Sequence, residues 1–260
     1  MLIIIGGHED IRGQRRVLQR FVEALGGEGA LAVLAVATED PRKAEALYRE
    51  AFSPWDLELE FFSLMERSWA REEKTLKRLE ACRGFYFTGG DQLRITTLLG
   101  GTPAHDIIRR RFREGAVVAG TSAGASAMSG VMIVGGKEMA SPALEVIRLS
   151  PGLGFLPEAV VDQHFAQRGR MGRLLSAVAQ NPGLLGIGID ENTALVIEGD
   201  EAQAVGEGTV VVVDGRTTQL SNVSELSPEE PLTLWGITLH VLSEGYGFRL
   251  DTRTPREGTL

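Results

Sequence analysis

The segment Ala116-Val117-Val118-Ala119-Gly120-Thr121-Ser122-Ala123-Gly124 decides how this chain is read. Four apolar residues form a buried strand, and a Gly-x-Ser-x-Gly turn follows at once. Small residues then continue to Met128. Strand, tight turn and helix in that order are the setting of a nucleophile elbow. Glycine is needed on both sides of the serine because a Cβ there would meet the neighbouring strand or the start of the helix. The turn pushes the Ser122 side chain outward. The Ala123 N–H, at the head of the helix, faces any oxyanion formed at the serine. A tight structural turn in a Gly/Ala-rich α/β protein has the same spelling, so the rest of the chain must choose between the two.

Working outward, short apolar runs alternate with helix-period segments. Strands are expected over 2–5, 30–37, 57–62, 84–87 and 116–119, with helices over 14–25, 41–52, 69–81, 92–99 and 104–114. Asp91 is placed to cap the fourth helix. Such alternation implies right-handed crossovers and a doubly wound, mostly parallel sheet. Active sites in these sheets form beyond the carboxyl ends of the strands. Gly6-Gly7, Thr38-Glu39, Thr88 to Gln92 and Ser122 all fall at such ends and should share one rim. The second half changes texture. Buried strands are expected at 160–161 and 185–189, and antiparallel ones over 194–197, 209–213, 232–242 and 246–250. With no linker, repeat or low-complexity tract, residues 1–260 read as one α/β domain whose antiparallel C-terminal strands extend the same sheet system.

Composition narrows the function classes. The 260 residues, 43% of them hydrophobic, are enough for a full core. No apolar run approaches the roughly 18 residues of a membrane span. The start of the chain lacks a basic leader, and Glu9 and Asp10 follow its short apolar run, so it reads as a strand rather than a signal peptide and a cytoplasmic protein is expected. A net charge of −8 argues against nucleic acid as the main partner. Cys82 is the single cysteine; it reads as a core thiol. The histidines at 8, 105, 164 and 240 are far apart, and no zinc-ligand spacing occurs, so neither metal nor cofactor is expected. Arg109 to Arg113 reads as a solvated helix face, whereas Arg168, Arg170 and Arg173 lie close behind His164.

A serine needs a base, and the base needs an orienting group. His164 follows an apolar strand and is the better base; His8, after the first strand, is its rival and otherwise lines the pocket. The adjacent Asp190 and Glu191 follow the 185–189 strand and offer the third member, with Asp162 and Glu138 as alternatives. The order serine, histidine, acid differs from that of α/β-hydrolases. Gly89-Gly90 supplies a second backbone element for an oxyanion hole with Ala123.

Taken together these segments resemble the S51 peptidases, and within them the cyanophycinases rather than the aspartyl dipeptidases. The resemblance is carried by Ile5 to Asp10, Phe87 to Gln92, Gly120 to Ala125, Asp162-Gln163-His164-Phe165 with Arg168, Arg170 and Arg173, and Gly188 to Ala194. It implies a class I glutamine-amidotransferase-like sheet and a triad of Ser122, His164 and Glu191, with an oxyanion hole at Gly90 and Ala123. It also implies a substrate that is either cyanophycin, a poly-aspartate carrying arginine on each β-carboxyl, or small aspartyl or isoaspartyl peptides. A homodimer without cofactor or metal is expected. A non-catalytic protein binding amino-acid derivatives is the reading from a different class. Gln92, Asp162, Gln163, Arg170 and Arg173 are the candidate substrate contacts, since arginines grip carboxylates bidentately. The first motif departs from the family at His8, where a small residue is usual, and at Ile11, where lysine is common.

Overall fold

The computed structural model describes residues 1–27, 29–63, 65–135, 142, 147–227 and 230–258. In the first half, β1 (Leu2–Ile5), α1 (Arg16–Ala24), β2 (Leu31–Leu34), α2 (Pro41–Phe52), β3 (Leu59–Phe62) and α3 (Glu73–Glu80) alternate as expected. So do β4 (Gly84–Phe87), α4 (Gln92–Leu99), α5 (Pro103–Arg113), β5 (Val117–Thr121) and α6 (Ala123–Ala127). The helix-period stretch from Trp69 to Ala81 is interrupted. Residues Arg67–Arg71 form a 3-10 turn, and Glu72 is extended (ψ 128°) before α3 begins. The turn is held by Trp69 packing edge-on to Phe62 and by Arg67 donating to the carbonyls of Thr97 and Gly100.

The second half comprises β6 (Ser129–Gly135), β7 (Arg148–Pro151), β8 (Leu156–Gln163), α7 (Met171–Gln180), β9 (Leu185–Ile189), β10 (Thr193–Glu198) and β11 (Glu201–Gly206). It ends with β12 (Val210–Asp214), the short pair β13 (Leu220–Ser221) and β14 (Leu234–Trp235), β15 (Thr238–Leu242), β16 (Gly247–Arg249) and β17 (Thr254–Arg256). Here one expectation is corrected, because the C-terminal strands do not all extend one sheet. A nine-stranded sheet runs β17-β16-β11-β10-β1-β5-β4-β2-β3, parallel from β1 to β3 and antiparallel beyond β10. A separate six-stranded sheet runs β15-β12-β9-β8-β6-β7 with β6, β8 and β9 parallel. The chain leaves the second sheet at Ile189 and enters the first at Thr193 through the turn Asp190-Glu191-Asn192, where Asn192 is left-handed (φ 50°).

Strand alternation sorts the core into layers. Ile3 and Ile5 pack with Val17, Phe21 and Phe52 beneath α1 and α2. Leu2, Ile4 and Val118 face the other way, into a cluster that includes Val161, Ile187 and Val212 of the second sheet. Between the two sheets lies α6, and its buried Ala123, Ala125 and Ala127 are small enough to admit both. The small-residue run after Ser122 is thus a spacing requirement. Val160, Leu174, Val178 and Val211 close the outer face under α7.

Candidate active site

The carboxyl ends of β1, β4, β5, β8 and β9 meet at one rim, around a cleft of ≈ 500 Å³. At the end of β5, Ser122 has φ 52° and ψ −113°, a strained conformation for a residue with a side chain. It is enforced from both sides. A Cβ on Gly120 would lie 2.4 Å from the Gly124 carbonyl oxygen, and one on Gly124 would lie 2.4 Å from that of Phe87. His8, His164 and Asn192 are left-handed as well, so four of the six such non-glycine residues described gather at this rim.

Ser122 Oγ lies 2.9 Å from His164 Nε2, and His164 Nδ1 lies 2.6 Å from Glu191 Oε1. Burial lowers the His164 imidazole below its usual range, helped by the charges of Arg168 and His8 and opposed by Glu191. Burial pushes the Glu191 carboxyl the other way, but hydrogen bonds from His8 and His164 outweigh it and leave it below its ordinary value. An ionised carboxylate only accepts, so His164 keeps its proton on Nδ1 and presents the Nε2 lone pair to the serine. The backbone locks the arrangement: His164 N–H donates to the Gly6 carbonyl (2.8 Å) and Asn192 N–H to that of Gly7 (2.9 Å).

Among the acids weighed from sequence, Asp190 accepts from Ala166 N–H and from the amide and hydroxyl of Thr209, each at 2.9 Å, and so ties the β9 turn to its neighbours. Asp162 is fully buried against Arg173. Glu138 lies outside the described residues. Glu191 alone of the described three meets His164. His8, the rival base, instead directs Nδ1 to Glu191 Oε1 at 2.8 Å and sets its ring edge-on to His164, with centroids 4.8 Å apart. Two histidines from distant parts of the chain thus share one carboxylate.

The amide groups of Gly90 and Ala123 have no acceptor among the described residues. Gly90 has φ 139°, and a Cβ there would stand 2.2 Å from the Ala37 carbonyl oxygen, so the loop after β4 tolerates only glycine. Gln92 is half-buried and donates to the Ile133 carbonyl (2.7 Å). Asp162, Gln163, Arg170 and Arg173 are buried behind His164 and are absent from the cleft lining. Arg173 Nε donates to Asp162 Oδ2 (2.5 Å), and Arg170 reaches Gln163 Oε1 (3.1 Å). Two lining residues stand outside the contacts expected from sequence. Arg168 is exposed beside Ser122 and His164. Glu9 is buried and accepts from Tyr86 (2.7 Å), Tyr48 (3.2 Å) and Thr121 (2.6 Å). Arg168 was already visible as the first cation of its run. Glu9 lies within the Ile5 to Asp10 motif that carries the family resemblance, but nothing in that motif assigns it a contact.

A histidine that must be neutral to act as base, with its pKa lowered, remains competent to lower pH than a free imidazole. For the unliganded protein, kcat/KM for an acyl substrate should rise with pH and be half-maximal below about 6.5, then stay level through neutrality. A rate profile placing that inflection above 7 would contradict the environment described for His164.

The protein-family comparison matches residues 1–205 to the Peptidase S51 family model. The cyanophycinase of Geminocystis herdmanii is 38% identical over 263 residues, covering 100% of this chain and 97% of that protein. The cyanophycinase of Trichormus variabilis is 40% identical over 257 residues, covering 97% and 86%. A crystal structure of a peptidase from an acI-B1 Actinobacterium shares the fold with a TM-score of 0.66 at 22% identity, covering 90% of this chain and 96% of the other. No helix among the described residues is long and apolar enough to cross a membrane. The chain belongs to peptidase family S51 and is a hydrolase of the serine-peptidase type.

Proposed function

We propose that this chain degrades cyanophycin as a serine exopeptidase, releasing β-Asp-Arg dipeptides through an acyl-enzyme. The observation that carries the reading is the hydrogen-bonded series Ser122–His164–Glu191, opening onto a cleft beside the exposed Arg168. Near-full-length similarity to proteins named cyanophycinase supports the substrate. In this reading Ser122 Oγ attacks the backbone carbonyl before a β-Asp-Arg unit while His164 Nε2 takes the hydroxyl proton. The tetrahedral oxyanion is met by the Gly90 and Ala123 N–H groups. Collapse breaks the C–N bond as His164 returns its proton to the leaving amine. Water, deprotonated by the same imidazole, then frees Ser122. Glu191 stays ionised throughout and stabilises the imidazolium. Arg168 is suited to a substrate carboxylate, such as the α-carboxylate of the arginine in each unit. Asp162, Gln163, Arg170 and Arg173 enter as the support behind the histidine, and Gln92 as the polar group at the mouth of α4. A cytoplasmic homodimer completes the proposal.

The test is incubation with insoluble cyanophycin granules and mass spectrometry of the soluble fraction, beside a Ser122→Ala control. β-Asp-Arg released by the wild type alone is the expected result. A folded protein that reacts with a serine-directed probe but releases nothing would refute the polymer as substrate.

A further inference from the structure

We propose that His8, His164 and Glu191 form a binding site for a zinc-class divalent cation, and that an ion held there silences Ser122. The three side chains extend from the ends of β1, β8 and β9, and their ligand atoms all lie within 4.8 Å of one another. Among the described residues this is the one such group of three. Two imidazoles and a carboxylate are a ligand set that tetrahedral Zn²⁺ accepts with a fourth position open. Glu191 Oε1 stands 2.8 Å from His8 Nδ1 and 2.6 Å from His164 Nδ1, which are hydrogen-bond separations. Arms of about 2.0–2.2 Å to a tetrahedral ion need ligand atoms roughly 3.3 Å apart, so the two nitrogens must back away from Glu191 Oε1 by about half an ångström or slightly more and close on each other from a separation within 4.8 Å. His8 has that freedom, with its side chain 71% exposed at the mouth of the cleft.

The same geometry says what the ion would do. A ligating Nδ1 offers its lone pair, so the remaining proton of the His164 ring sits on Nε2, the atom 2.9 Å from Ser122 Oγ. The nitrogen that must accept the serine proton has become a donor. Glu191, whose charge would stabilise the imidazolium, is committed to the cation, and a second positive charge on the ring is opposed by the ion itself. Coordination breaks no covalent bond. Each imidazole enters neutral with its proton on Nε2, and the carboxylate enters ionised. Hard cations such as Mg²⁺ and Ca²⁺ prefer oxygen ligands and are excluded by a site with two nitrogens. The other thiol and imidazole groups do not form a competing site: Cys82 is buried, His105 is buried with Nε2 3.0 Å from the Leu153 carbonyl, and the half-buried His240 belongs to no such group of three among the described residues.

Binding is tested without substrate, by calorimetric titration of ZnCl₂ into Ser122→Ala protein, which keeps all three ligands, and by the visible bands of tetrahedral Co²⁺. One site per chain is expected. His8→Gly, compatible with the left-handed backbone at position 8 (φ 46°), should weaken the affinity by at least about 100-fold. His8→Asn, which also tolerates that conformation, provides a second folded variant with the same expectation. Zinc should inhibit the wild type reversibly on chelation. The His8 variants, each compared with its own uninhibited rate, should resist it, and Mg²⁺ should have no effect. Equal zinc affinity in wild type and both His8 variants, or no binding to the folded protein, would overturn the proposal. Only the consequence for catalysis rests on the peptidase reading; the titration stands apart from it, so either can fail alone.

Discussion

Ser122→Ala is expected to lower kcat by about four to six orders of magnitude while substrate binding is largely kept. Alanine retains the Cβ, so the elbow forced by Gly120 and Gly124 persists, and only the hydroxyl 2.9 Å from His164 is lost. What survives should be the contribution of the backbone N–H groups and of substrate positioning, which needs no nucleophile. Because Ser122 and His164 act as one unit, His164→Ala should fall to nearly the same level. The double variant should fall little further, since removing a second member of a broken unit costs little more. Glu191→Gln should be milder than either, leaving a ring whose Nδ1 proton still finds an amide oxygen but whose imidazolium has lost its counter-charge. The measurement is initial rates of product release for all four proteins, with circular dichroism to confirm folding. A Ser122→Ala rate within tenfold of wild type would show that the serine is a turn residue and that the chemistry lies elsewhere.

Much of this site was legible because it is built on short apolar strands that end in turn residues. The 116–119 run, Gly6-Gly7 and Gly89-Gly90 mark strand ends in any α/β sheet, and the crossover rule brings such ends together. The choice between Asp190 and Glu191 came only from the family resemblance and was not legible in strand pattern or spacing, because both occupy one turn between two sheets. Only the packing of Ala166 and Thr209 around Asp190 turns its neighbour towards His164. The division into two sheets was hidden for a related reason. Buried strands of either sheet have the same apolar spelling, and nothing in Leu185–Ile189 says which neighbours it will have. The Glu201–Gly206 strand, whose alternate residues Ala202, Ala204 and Gly206 are buried, lies outside the strands expected from sequence. The arginines are the sharpest case. Arg168 precedes α7 and reaches solvent, whereas Arg170 and Arg173 stand at its start and turn inward. Counting cations cannot separate those fates.

The inward pair leads to the largest stability effect expected in the molecule. Asp162 is fully buried on β8, two residues before His164, and Arg173 engages both of its carboxylate oxygens from α7. Arg170 stands 3.5 Å from the same carboxylate, and the Gln163 amide donates to it at 2.9 Å. Asp162→Ala would leave the Arg173 guanidinium, itself 7% exposed, without its counter-ion in a place water does not reach. Removing one member of a buried ion pair costs about 3–5 kcal/mol. An exposed pair such as Arg49 with Glu45 contributes about 0–1 kcal/mol, so Glu45→Ala serves as the contrast. Replacing both members with apolar residues of similar volume, Asp162→Leu with Arg173→Met, should recover the part of the loss that comes from stranding Arg173, while Arg170 loses the same carboxylate and keeps its bond to Gln163 Oε1. Urea unfolding of the four proteins measures this directly. It also separates two roles. A group that only supports the strand carrying His164 loses stability and kcat together, whereas one that touches substrate raises KM at unchanged stability. A stability change below about 1 kcal/mol for Asp162→Ala, with KM raised, would move Asp162 and its arginines from the support of the histidine to the binding of the substrate.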